Sequence, residues 1–93
     1  MIKAPPTPKG FRDISGETAK KRREVINKIA SILESFNFVP LETPTIEFAK
    51  TLEGKYGEDE KLIYKFTDRG GRELALRYDL TVPFVRFVAN NLN

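Results

Sequence analysis

The residues with the most chemical promise lie together near the end of this 93-residue chain, in the run Leu76-Arg77-Tyr78-Asp79-Leu80-Thr81-Val82-Pro83. It sets a guanidinium, a carboxylate and a hydroxyl where an extended segment passes into an apolar helical pattern. Strand ends gather functional groups because a rigid element positions them while a loop leaves them accessible. A carboxylate and a hydroxyl at such a junction can hold a ligand ammonium by charge-assisted hydrogen bonds. The same Asp79 also has a purely local use as the N-cap of the following helix. The local pattern leaves both readings open.

Three other clusters are less specific. Lys20-Lys21-Arg22-Arg23 could touch phosphate, since clustered cations release counterions from nucleic acid, but such runs are more often a solvated helix face. Asp68-Arg69-Gly70-Gly71-Arg72 lacks the strand-to-helix context and spacing of a P-loop and reads as a hairpin turn. Glu58-Asp59-Glu60 lacks the alternating spacing and glycine of a calcium loop and reads as a solvated segment.

Composition narrows the chemistry further. The chain has no cysteine and no histidine, which removes thiolate and imidazole metal sites and the commonest general base. Seven Phe and three Tyr, with 40% hydrophobic and 31% charged residues, are typical of a folding globular sequence. Positive charge is concentrated early: residues 1–37 hold eight Lys or Arg against four acids, and residues 38–93 eight against nine. That bias is compatible with nucleic acid nearby and far weaker than a dedicated binding face. Apolar runs are short and the Pro- and Lys-rich N-terminus lacks a signal-peptide core, so a cytoplasmic location and no membrane association are expected.

These groups must be positioned by an α+β unit. Residues 1–14 read as an extended arm, rich in proline. Val25, Ile26, Ile29, Ile32, Leu33 and Phe36 recur at helical spacing, so a helix is predicted from about Gly16 to Phe36, with Ser15 as N-cap and Glu17 near the positive end of its dipole. Phe38 to Pro44 reads as an extended edge or interface strand, since its two prolines disfavour helix. Ile46 to Leu52 is expected to form a short helix stopped by Gly54, and Lys55 to Lys61 a mobile charged loop. Leu62–Thr67 and Arg72–Tyr78 are predicted strands around the Asp68–Gly71 turn. Leu80, Phe84, Val85, Val88 and Leu92 describe a last helix to about Asn91, capped by Asp79 or Thr81, with Pro83 in its first turn. With no repeat and no internal linker, residues 1–93 read as one unit.

In order and spacing, Lys9-Gly10-Phe11-Arg12-Asp13, then Phe38-Val39-Pro40-Leu41-Glu42-Thr43-Pro44-Thr45-Ile46-Glu47, then Lys55-Tyr56-Gly57-Glu58-Asp59, then Leu76 to Pro83 resemble the histidyl-tRNA synthetases, a class II aminoacyl-tRNA synthetase family. The resemblance runs from Lys9 to about Asn91 and implies the N-terminal part of the catalytic domain. It implies that residues 15–48 form a dimer-interface motif, with Phe38 and Pro44 at the interface of a homodimer. Asn37 stands where a glycine often precedes the aromatic residue, a mild departure because Asn tolerates left-handed geometry. It further implies that residues 62–93 carry the histidine-site motif, with Asp79 and Thr81 on the substrate's amino group and Arg77 beside them. The parent enzyme would use histidine, ATP with Mg2+, and tRNA(His). In the family the phosphate-stabilising arginines, adenine and imidazole contacts and anticodon-binding domain follow the position of Asn93, so the isolated chain is expected to be inactive, with no catalytic residue, no metal ligand and no tightly bound cofactor of its own. The alternatives are the synthetase-like regulatory subunit of ATP phosphoribosyltransferase and a stand-alone dimerisation module.

Overall fold

The computed structural model describes residues 3–92. Contacts divide the chain into two compact units, Met1–Pro40 and Leu41–Asn93, at a point where the sequence offers no linker.

In the first unit, residues 3–14 form no helix or strand. A turn at Lys9-Gly10 is closed by the Phe11 amide donating to the Pro8 carbonyl at 3.0 Å. Helix α1 spans Gly16–Ser35, with Ser15 at its N-cap position in extended geometry as predicted, although the Ser15 side chain makes no capping bond. Asn37 takes φ 69°, which lets the Phe38 amide return to the Leu33 carbonyl at 3.2 Å and closes the helix in left-handed geometry. The apolar stripe is present as expected, yet no residue of α1 is buried: Ile29 is 53% exposed and Phe36 72%.

The second unit departs from expectation at its start. Residues 38–44 pair in no strand. The strand comes later, β1 at Ile46–Phe48, followed by a one-turn helix α2, Ala49–Leu52, so the helix expected over Ile46–Leu52 begins three residues late. The reason is tertiary: Ile46, Glu47 and Phe48 pair with Leu76, Ala75 and Leu74 of β3, and those ladder bonds outweigh a weak local preference. Lys55–Lys61 is likewise no open loop; Gly57–Leu62 forms a 3₁₀ helix, and the Glu60 carboxylate accepts from the Gly54 amide at 2.9 Å.

Strands β2, Lys65–Thr67, and β3, Glu73–Leu76, are the predicted hairpin with shorter strands. The sheet is antiparallel in the order β1-β3-β2, with β3 central. At the turn the Asp68 carboxylate accepts from the Gly70 and Arg72 amides at 3.0 and 2.9 Å and meets the Arg72 Nε at 2.7 Å. These donors, the Arg72 amide foremost, hold the Asp68 carboxyl below the usual carboxylate range. Gly71 has φ +82°, the geometry for which this turn needs glycine.

Helix α3 spans Thr81–Asn90, with Pro83 buried in its first turn. The core is small: Ala49, Leu52, Ile63 and Ala75 are buried, and Tyr56 and Val82 pack against them. Register puts Glu47 and Ala75 on one sheet face, which is covered, and Ile46, Phe48, Leu76 and Phe66 on the other, where each is at least 40% exposed.

Candidate functional site: the turn between β3 and α3

The site begins where the β3 ladder ends. Beyond Leu76, the Arg77 amide still donates to the Thr45 carbonyl at 2.9 Å, so pairing with the segment before β1 continues one residue past the strand. Tyr78, Asp79 and Leu80 then turn the chain into α3. This hands the Asp79 carboxylate from a central strand to a helix N-terminus, where the macrodipole favours negative charge.

The capping expectation is met only loosely. Leu80, and not Asp79 or Thr81, occupies the N-cap position, and no side-chain cap bond is formed there. Asp79 Oδ1 lies 3.4 Å from the Val82 amide, too long for a strong hydrogen bond. Its short bond comes from elsewhere: the Tyr56 hydroxyl donates to the same Oδ1 at 2.8 Å. Tyr56 is held by the backbone turn into the 3₁₀ helix, where its carbonyl accepts from the Asp59 amide at 3.2 Å, and its ring meets that of Tyr78 edge-on at 5.0 Å. Burial, then the bond to Asp79 and its negative charge, push the Tyr56 phenol up to about 12. At neutral pH it is therefore a permanent donor.

Thr81 is exposed at the first position of α3, two residues beyond Asp79. Arg77 is engaged by Thr43: its Nη1 donates to the Thr43 carbonyl at 2.9 Å and lies 3.4 Å from the Thr43 hydroxyl. Phe38, in the first unit, is 63% exposed, and Pro44, in the second, is exposed.

Sequence reasoning missed Tyr56, whose signal was a large aromatic among the charges of Lys55-Tyr56-Gly57-Glu58-Asp59. It also missed Glu47 on β1, whose side chain is 4% exposed and whose Oε1 lies 2.7 Å from Nε of Arg86 on α3. Among the described residues no three potential metal-ligating side chains converge. No described helix is long and apolar enough to cross a membrane.

A family model of histidyl-tRNA synthetase matches residues 10–93. The chain belongs to the histidyl-tRNA synthetase family. The histidine–tRNA ligase of Aeropyrum pernix is 48% identical over 90 residues, covering 94% of this chain and 21% of that protein. The cytoplasmic histidine–tRNA ligase of Dictyostelium discoideum is 48% identical over 85 residues, covering 91% of this chain and 18% of its own. Among solved structures, a Bacillus halodurans protein described as an ATP phosphoribosyltransferase regulatory subunit/histidyl-tRNA synthetase superposes with a TM-score of 0.81 at 28% identity, over 92% of this chain and 23% of that one. The α+β fold is thus that of histidyl-tRNA synthetase catalytic domains. The chain spans about a fifth of the length of the curated relatives it matches.

Proposed function

We propose that this chain is the N-terminal part of the catalytic domain of a histidine–tRNA ligase, which activates histidine with ATP and transfers it to tRNA(His). The observation that carries this reading is the placement of Asp79 at the β3–α3 turn. One of its oxygens accepts from Tyr56 at 2.8 Å, and Oδ2 makes no hydrogen bond among the described residues. A carboxylate so oriented suits an α-ammonium, with the Thr81 hydroxyl two residues on as a second acceptor. Arg77 carries the same charge as that ammonium and is engaged by Thr43, so its part is to fix the preceding segment rather than to meet the ligand.

In this reading the exposed stripe of α1 and Phe38, in the first unit, serve a homodimer contact, which accounts for a 20-residue amphipathic helix with no buried residue. Pro44, in the second unit, is assigned to the same interface by the family motif alone. ATP, its Mg2+ and the tRNA are handled by parts of the ligase beyond these residues, and the isolated chain is inactive. The protein works in the cytoplasm.

The test is histidine-dependent exchange of pyrophosphate into ATP by the full-length gene product, with the 93-residue chain alongside. Exchange by the long protein and none by the short one is expected. Absence of exchange by either would transfer the assignment to a regulatory subunit of ATP phosphoribosyltransferase or a dimerisation module.

A further inference from the structure

Resting on the ligase reading above, we propose that Tyr56 is a positioning residue for amino-group recognition: its hydroxyl clamps Oδ1 of Asp79, so that Oδ2 is presented in one orientation to the ammonium of the amino-acid substrate. Asp79 sits in a turn, outside both β3 and α3, and its only other hydrogen-bond approach among the described residues is that of the Val82 amide at 3.4 Å. Without the phenol the carboxylate could rotate about its terminal torsion, which is broad for Asp. Tyr56 is well suited to prevent this. Its own place is set by the edge-on packing on Tyr78 and by packing against the buried cluster of Ala49, Leu52, Ile63 and Ala75. The segment leading to it is tied down where Glu60 accepts from the Gly54 amide. Because the phenol keeps its proton far above neutral pH, it is available to donate to Oδ1 under all working conditions.

The role separates the ammonium from the rest of the substrate. Loss of one hydrogen bond to a charged acceptor corresponds to about a tenfold loss in binding. That loss should fall on ligands that carry the α-amino group and spare those that do not.

The experiment compares the full-length protein with its Tyr56→Phe variant, which keeps the ring and its packing. Pyrophosphate exchange is measured with histidine as substrate and with imidazolepropionate, histidine lacking its α-amino group, as competitive inhibitor. The expected result is a KM for histidine raised about tenfold, with the KM for ATP and the inhibition constant of imidazolepropionate unchanged. An unchanged KM for histidine overturns the proposal, as does an equal weakening of histidine and imidazolepropionate, which would make Tyr56 merely structural. If the unmodified full-length protein shows no histidine-dependent exchange, the ligase reading itself falls.

Discussion

Glu47 of β1 and Arg86 of α3 form an ion pair across the covered face of the sheet, with Arg86 Nε 2.7 Å from Glu47 Oε1 and side chains 4% and 28% exposed. The pair is close but not aligned as a hydrogen bond, and the buried Glu47 Oε2 has no partner among the described residues. Such a pair is worth less than its distance implies, because desolvation offsets much of the attraction, yet breaking it strands a buried charge. Arg86→Met should therefore destabilise the protein by about 3–5 kcal/mol, while the double change Glu47→Leu with Arg86→Met should cost much less. Urea unfolding of the single and double variants measures this directly.

Asp79→Asn keeps the shape of the turn and removes the charge that an ammonium would meet. The KM for histidine in pyrophosphate exchange by the full-length protein should rise by roughly tenfold to a hundredfold, with little change in the KM for ATP. An equal rise for both substrates would place Asp79 in general architecture.

Leu52 is fully buried at the centre of a core of only a few side chains. Leu52→Ala should cost about 2–5 kcal/mol, and the upper part of that range is expected because the β1–β3 ladder beneath it limits collapse of the cavity. Thermal unfolding followed by circular dichroism tests it.

The Tyr56 phenol is raised from 10.0 to about 12. A raised pKa means that the folded state holds this proton more tightly than the unfolded one. Its contribution to stability is complete below pH 10 and is lost as the pH climbs through 12. Phenolate absorbance should show a late-titrating step that Tyr56→Phe abolishes. Asp68 works in the opposite sense: its lowered pKa stabilises the hairpin above the ordinary carboxylate value of 3.8, a contribution lost as acid protonates it.

If α1 is half of a two-fold contact, Ile29→Glu should shift the full-length protein from dimer to monomer in sedimentation without loss of helix content. Ile29 is 53% exposed, so the substitution buries no charge within the chain itself.

Much of the architecture followed from local chemistry. The three- and four-residue spacing of Val25 to Phe36 specifies α1 to within a residue of its end, and Asn37 closes it because an Asn accepts positive φ. Asp68 and Gly71 determine the hairpin turn, since one supplies the acceptor for the turn amides and the other the left-handed backbone. Pro83 marks the first turn of α3 for the same kind of reason. The order of the four motifs likewise sufficed to point to the synthetase family.

Tertiary structure decided the rest. Ile46-Glu47-Phe48 becomes a strand only because β3 offers a central edge to pair with, and its burial inverts the usual pattern, with the acid covered and the apolar neighbours exposed. No local signal distinguishes that outcome, since Glu47 is tolerated inside only through Arg86, thirty-nine positions along the chain. The same holds at the site. Sequence placed Asp79 at a junction, but its short hydrogen bond comes from Tyr56, twenty-three residues earlier, and the neighbouring Arg77 is engaged by Thr43, thirty-four residues earlier. Helix caps and turns are written in neighbouring residues because they satisfy neighbouring backbone groups. The partner of a side chain is set by which strands pair, and that choice belongs to the whole fold.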